Sequence, residues 1–303
     1  MNKHEYGESV LQHFGLTRER LLGSGGESSV YALDDARVLR IYAPSADRRY
    51  IDAVSAFYAE LDDQSAGFHV PVVETVDALD GTLYAIEQRI TGSSLAKQMP
   101  SLKGEHRRIA LINYTRAVEA VHQLTKDAGS LFGEFLTPEP LQRNRWSEFL
   151  SDRAELTLQR SRPRLDHDIP QLNKVLNVWK VQLSALDDVT QPQLVHGDYF
   201  PGNVMVDDQG QVIAVIDFSP MTVAGDPRMD FVGALIYLEV VEGYQSADSD
   251  LVQSELIRRH GRELIDLVPV YRTYYSLYFS TAYDDDPKLY RWCLNNLRHE
   301  LAA

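Results

Sequence analysis

Three polar residues stand in an order that chemistry can use. His196-Gly197-Asp198 closes an apolar run, Asn203 follows Asp198 by five residues, and Asp217 ends the next apolar run. Phosphoryl transfer from a nucleoside triphosphate needs a carboxylate near the acceptor hydroxyl and oxygen ligands for Mg²⁺. A loop, a hairpin and a second loop bring three such side chains to one point. In that arrangement Asp198 is the base or orienter, and Asn203 and Asp217 are the metal ligands. Taken singly, each of these residues reads better as a turn cap or a strand end. Only the ordered set H-G-D-x4-N, then I-D-F beyond a hairpin, points to chemistry.

A second signal is the run Leu22 to Tyr31, which carries Gly23, Ser24, Gly25, Gly26, Glu27 and Ser28. Glycines let backbone amides approach phosphates closely. A dinucleotide-binding turn needs a third glycine opening a helix, but Ser28 stands there and the β-branched Val30 follows. A Walker A loop needs Gly-Lys-Ser/Thr, which the chain lacks. A glycine-rich turn between two strands fits best.

These loops need elements to hold them. Leu21–Leu22, Ser29–Leu33, Val38–Tyr42, Val72–Val76 and Thr82–Glu87 read as short antiparallel strands separated by turn residues. Between them, Ile51, Val54, Tyr58 and Leu61 recur at helical spacing and predict a helix over Asp47 to Leu61. Past Thr91–Gly92–Ser93–Ser94 the chain becomes mostly helical, with helices predicted over Glu105–Leu124, Trp146–Gln159 and Ile169–Leu186. One β-rich island interrupts them from Gln193 to Phe218. Its strands, Val204–Val206 and Val212–Ile216, flank the turn Asp207 to Gly210. The expectation is an α+β chain of two unequal lobes, residues 1–90 and 91–303, with a cleft between them.

The chain has 303 residues, 44% hydrophobic and 24% charged, enough to bury a core without metal or disulfide staples. Cys293 is the one cysteine, sits in a helical pattern and reads as a packed thiol, consistent with a reducing cytoplasm. The histidines outside His196 show no metal-ligand spacing. No apolar run reaches membrane-spanning length, and the N-terminal residues lack a signal peptide's apolar core, so no membrane partner is expected. The net charge of −14 argues against nucleic-acid binding and suits a cationic ligand, although solubility alone explains it as well. The basic stretch Arg153 to Arg164 reads as the solvated end of a helix.

The segments HGDYFPGN and VIDFSPMTVAGDPRMDFVGAL resemble the catalytic segments of the aminoglycoside phosphotransferase and choline-kinase-like family, whose fold is similar to that of protein kinases. The resemblance runs from about residue 20 to residue 235. It implies a small antiparallel-sheet lobe with one helix and a larger, mostly helical lobe with a catalytic hairpin. It implies MgATP in the cleft, GTP being the alternative, with Asp198 as catalytic aspartate, Asn203 and Asp217 on Mg²⁺, and His196 and Asp230 buttressing the loop. Gly23, Ser24, Gly25, Gly26 and Ser28 would cover the phosphates. Arg40 stands where the family carries a phosphate-contacting lysine, with Glu60 on the following helix as its expected partner and Asp52 as the alternative. The backbone near Glu87 and Arg89 would contact the nucleobase.

The implied activity is phosphorylation of a hydroxyl on a small molecule, either an antibiotic, as in resistance enzymes, or a metabolite. Glu239, Glu242 and Asp284 to Asp286, with Tyr237, Tyr271, Tyr274, Tyr275, Tyr278 and Tyr283, are candidates for the acceptor site, although a helical core with tyrosine rims and an exposed acidic turn at Asp284 to Asp286 explains them better. The substitution at Arg40 keeps a nucleotide-binding pseudokinase or scaffold in view. A protein kinase is the other rival, but no Ala-Pro-Glu follows Asp217. Oligomeric state is not legible.

Overall fold

The computed structural model describes residues 7–25, 27–64, 66–125, 128–186 and 188–299. Helix α1 (Glu8–His13) precedes strands β1 (Leu21–Ser24), β2 (Ser28–Ala32) and β3 (Arg37–Tyr42), helix α2 (Arg48–Glu60), and strands β4 (Val73–Leu79) and β5 (Thr82–Gln88). The strands form one antiparallel sheet in the order β1-β2-β3-β5-β4. Side chains alternate between the faces of a strand, and here the alternation separates two environments. Tyr31, Leu39, Ile41, Tyr84 and Ile86 pack outward under Val10 and Leu11 of α1, forming a small core of their own. Val30, Arg40, Tyr42 and Glu87 point the other way, toward the cleft.

Helix α2 begins because Asp47 caps it. The Asp47 carboxylate accepts from the Arg49 N–H at 2.8 Å. Losing such a cap costs about 1 kcal/mol, so Asp47→Ala should lower the thermal unfolding midpoint by a few degrees, ~2–4 °C at this chain length. An unchanged midpoint would show that α2 is held by packing alone.

The remaining chain builds two smaller sheets and a helical body. Strand β6 (Ser93–Ser94) is followed by α3 (Leu95–Gln98), α4 (Gly104–Val121), β7 (Phe132–Glu134), β8 (Gln142–Arg143), α5 (Trp146–Asp168) and α6 (Leu172–Leu183). Then come β9 (Gln193–Val195), β10 (Val204–Val206), β11 (Val212–Val215), β12 (Val223–Gly225), α7 (Arg228–Ile236), α8 (Ser246–His260), α9 (Val268–Tyr278) and α10 (Pro287–His299). The predicted hairpin is β10–β11, and β6 adds to its edge. A four-stranded sheet, β8-β7-β12-β9, flanks it. Its two- and three-residue strands were too short to show a period in the sequence.

Helix α5 continues past the predicted end at Gln159 and runs through Pro163. Proline removes one hydrogen bond and crowds the preceding turn. The apolar spacing nevertheless persists, with Trp146, Phe149, Leu150, Ala154, Leu158 and Leu165 all buried, and that burial carries the helix past the break.

Between α4 and α8, Arg107 donates to both carboxylate oxygens of Asp248 at 2.7 and 2.6 Å and to the carbonyls of Met99 and Gly243 at 2.7 Å. The pair is buried and its donors are satisfied, which a buried ion pair requires. Cys293 is fully buried, and burial pushes its thiol up to about 12, so it stays an unreactive packed thiol. Among the described residues, no helix is long and apolar enough to cross a membrane.

Candidate active site

A cavity of about 620 Å³ opens between the five-stranded sheet and the helical body. Gly23, Ser24, Gly25, Glu27 and Ser28 line it from the glycine-rich turn, Arg40 and Glu87 from the sheet, and Asp198, Asn203 and Asp217 from the loops around the hairpin. Gly26 lies outside the described residues. The turn closes with Gly25 N–H donating to the Ser28 carbonyl at 2.9 Å.

The loop bearing Asp198 is pinned from behind. Asp230, at the start of α7 and fully buried, accepts from the N–H groups of His196 at 2.7 Å and Gly197 at 2.9 Å. His122 lies against the same carboxylate at 3.2 Å. The His196 ring works from both ends. Its Nε2 lies 3.0 Å from the Ile216 carbonyl, which can only accept, so Nε2 carries the proton; its Nδ1 accepts from Asp198 N–H at 3.3 Å. One imidazole thereby ties the residue before Asp217 to the loop that carries Asp198. Gly197 has φ +77°, and a Cβ there would lie 1.9 Å from the Met221 carbonyl oxygen, so only glycine fits. Tyr114 and Tyr199 stack at 4.9 Å and each hydroxyl donates to the other's carbonyl, at 2.8 and 2.9 Å.

Asn203 turns its amide nitrogen onto Asp198, donating to the Asp198 carbonyl at 3.0 Å and to Oδ2 at 3.2 Å. Its amide oxygen is then the atom left for a hard cation. Asp217 is exposed to the cleft and held at φ +68°, a left-handed conformation that a non-glycine residue rarely adopts. Burial raises the Asp198 pKa most strongly. Asp217 and Asp230 raise it further and the Asn203 hydrogen bond lowers it, leaving the carboxyl well above the ordinary carboxylate range. Asp198 is therefore shifted toward neutral pH, where a carboxyl can exchange a proton with an acceptor hydroxyl.

The structure corrects the reading of Arg40. Its guanidinium does not meet Glu60 or Asp52 of α2. Nε donates to Glu87 Oε1 at 2.5 Å and Nη2 to Oε2 at 3.1 Å. Glu60 is exposed at the end of α2, and Asp52 is taken by Arg48 one turn back, at 2.8 Å. Helical spacing placed Glu60 within chain reach but could not say which way the helix turned its acids. Glu60→Gln should accordingly leave nucleotide affinity within about twofold of the parent in a titration, since exposed surface charges contribute little. A tenfold loss would restore Glu60 to the site.

The connector is corrected too. Glu87 sits inside the sheet, paired through its backbone with Val38 and Val73, and contributes its side chain rather than free backbone groups. Arg89 does not line the cavity. Its N–H donates to the Ala36 carbonyl at 2.7 Å and its side chain reaches the Asp34 carbonyl at 3.3 Å. Both positions were read from sequence by the order of residues along the connector, which does not reveal where pairing stops.

Several cleft residues escaped the sequence. Tyr50, Ile51, Val54, Ser55 and Tyr58 of α2 face the cavity. Burial holds the Tyr58 hydroxyl well above the ordinary tyrosine range, so it stays protonated, and its ring meets Phe218 at 5.8 Å. Arg153 is buried rather than solvated. It donates to the Pro220 carbonyl, lies 3.3 Å from Glu134, and places its guanidinium 4.9 Å from the Tyr278 ring centroid. Its place on the buried stripe of α5, between Leu150 and Leu158, was the available signal.

Among the acceptor candidates, Glu239 is engaged by Arg272 at 2.7 Å and by the Trp292 indole at 2.9 Å. Asp286 caps α10 through the N–H groups of Lys288 and Leu289. Tyr237, Tyr271, Tyr274 and Tyr275 are core residues. Of the tyrosines considered, Tyr278 lines the cavity, beside Ser219, Pro220 and Met221.

The phosphotransferase enzyme family model matches residues 18–264. No curated protein sequence matches the chain. Solved structures do. Aminoglycoside phosphotransferase APH(2'')-Ib with ADP bound is 16% identical over 96% of this chain and 95% of that one, with a TM-score of 0.64. The APH(2'')-IIa complex with gentamicin is 17% identical over 96% of each chain, at 0.65. The GDP complex of aminoglycoside 2'-phosphotransferase-IIIa is 16% identical over 100% of this chain and 99% of that one, at 0.64. These likenesses share the architecture of a sheet-bearing N-terminal region and a helical C-terminal region. The family match spans both walls of the cleft and every cleft side chain named above except Tyr278, and the chain belongs to the phosphotransferase enzyme family.

Proposed function

We propose that this chain transfers the γ-phosphoryl group of ATP or GTP to a hydroxyl of a small molecule, an antibiotic of the aminoglycoside or macrolide type or a metabolite. The observation that carries this reading is the convergence of Asp198, Asn203, Asp217, Arg40 and the glycine-rich turn on one cavity. The relatives named above hold ADP, GDP and gentamicin, which supports a nucleotide and a hydroxyl-rich acceptor in this cleft. The two lobes then divide near residue 90, with the nucleotide between them.

The donor set fits Mg²⁺. One carboxylate and one amide oxygen, completed by substrate phosphates and water, is how this ion is usually held. Among the described residues no cluster of three His, Cys, Asp or Glu side chains forms a closed metal cage, as expected when phosphates supply the remaining ligands. Mg²⁺ on Asn203 and Asp217 would offset the negative charge of the transferring group.

Asp198 orients the acceptor hydroxyl and takes its proton. Arg40 steadies the phosphates with a planar, permanently charged fork. Backbone amides of the glycine-rich turn cover them. Tyr278 lines the same cavity and offers an aromatic ring suited to a sugar or a cation.

The test is nucleotide-diphosphate release with MgATP and MgGTP against pooled aminoglycosides, macrolides, choline, sugars and amino alcohols. An acceptor-dependent signal that disappears in Asp198→Asn establishes the kinase and names the acceptor class. Nucleotide binding with no release across the whole panel would favour a binding module over an enzyme.

A further inference from the structure

The grip on Arg40 comes from its own sheet. Strands β3 and β5 are hydrogen-bonded neighbours, with Val38 opposite Glu87 and Arg40 opposite Ala85. Arg40 and Glu87 are therefore diagonal neighbours on the cleft face, a separation that long side chains span. Glu87 is 6% exposed. Its two oxygens take Nε and Nη2 of Arg40, and Ser28 Oγ on β2 takes Nη1 at 3.0 Å. Three adjacent strands thus hold one guanidinium.

Helix α2 brings no charge to this place. The side chains it presents to the cavity are Tyr50, Ile51, Val54, Ser55 and Tyr58, none of them a carboxylate. A guanidinium has five N–H donors. Glu87 and Ser28 use three, which leaves one on Nη1 and one on Nη2 for phosphate oxygens. An ammonium on a flexible stem has no such fixed fork to divide between a carboxylate and a phosphate. Arginine at position 40 is thereby matched to a partner within the sheet.

Desolvation works against the charge on Arg40. Glu87 outweighs it and holds the guanidinium above its ordinary range. Glu27, on the glycine-rich turn, is a second carboxylate within the electrostatic reach of Arg40. Without Glu87, Glu27 would be the carboxylate left to attract the guanidinium.

We propose that Glu87 is the positioning residue for Arg40, fixing its guanidinium for the nucleotide phosphates from within the sheet, so that the phosphate grip needs no carboxylate from helix α2. The inference rests on the nucleotide reading of the cleft.

The test compares triphosphate with nucleoside, because a nucleoside has no phosphates to feel Arg40. Affinities for MgATP and adenosine, and for MgGTP and guanosine, are measured for the parent, Glu87→Gln, Arg40→Ala and the double variant. Glu87→Gln should lose about tenfold for the triphosphate, the scale of one hydrogen bond to a charged group. Its nucleoside affinity should stay within about twofold, and the double variant should bind no more weakly than Arg40→Ala, because Glu87 acts through Arg40. Equal losses for triphosphate and nucleoside would make Glu87 merely structural and overturn the inference. So would unchanged triphosphate affinity in Glu87→Gln. If Arg40→Ala itself leaves triphosphate affinity unchanged, the nucleotide reading of the cleft fails first and the inference falls with it. Glu87→Asp, which keeps the charge but shortens the reach, provides the same comparison should Glu87→Gln fail to fold.

Discussion

Asp198→Asn should lower turnover by ~10²–10⁴-fold, the usual contribution of a positioned proton acceptor. The loop should stay in place, because its anchors do not involve the lost charge. Asp230 holds the N–H groups of His196 and Gly197, and the His196 ring accepts from the Asp198 backbone N–H. The new amide oxygen can still accept from Asn203. Nucleotide affinity should therefore stay close to the parent value while the chemical step is lost, and steady-state rates beside nucleotide titrations separate the two. A folded Asp198→Asn protein with near-parental turnover would sink the mechanism.

The second large effect is on stability. Asp230→Ala should cost about 3–5 kcal/mol, the range found when one partner of a buried charged network is removed. Asp230 is fully buried and accepts from two backbone N–H groups, with His122 against the same carboxylate. Removing it strands both donors away from water, at about 1–3 kcal/mol each. A shift of the denaturant midpoint with an unchanged slope would identify a loss of stability rather than a change in the unfolded state. Activity should fall as well, since the loop that carries Asp198 loses its anchor. A change under about 1 kcal/mol, the level of an ordinary surface substitution, would mean that water replaces the carboxylate and the loop is held elsewhere.

Much of the fold was legible because its signals are local. Alternation in β2, β3 and β5 distinguishes a face toward α1 from a face toward the cleft. Turn residues mark the hairpins, and the helical period of α4, α5 and α6 is strong. The short strands β7, β8 and β12 were not legible, because two or three residues carry no period and their pairing depends on distant chain segments; β9 was read as the apolar strand before His196, but not its pairing with β12. The helix predicted to end at Gln159 runs on through Pro163 to Asp168, because tertiary burial overrides the local penalty of the proline.

For the candidate site, the sequence by itself determined which residues can do the chemistry. The types and spacing of His196, Asp198, Asn203 and Asp217 are set along one loop–hairpin–loop, so proximity follows from chain connectivity. The tertiary structure decided who partners whom. Glu87 is 47 residues from Arg40 in the chain, and only the register of β3 on β5 brings them together. Glu60, nearer along the chain, faces solvent because α2 turns its tyrosines toward the cleft instead. Arg153 was one basic residue among several until the packing of α5 under Pro220 buried it. Ionic partners are chosen by distance and desolvation in three dimensions, and spacing along the chain encodes neither.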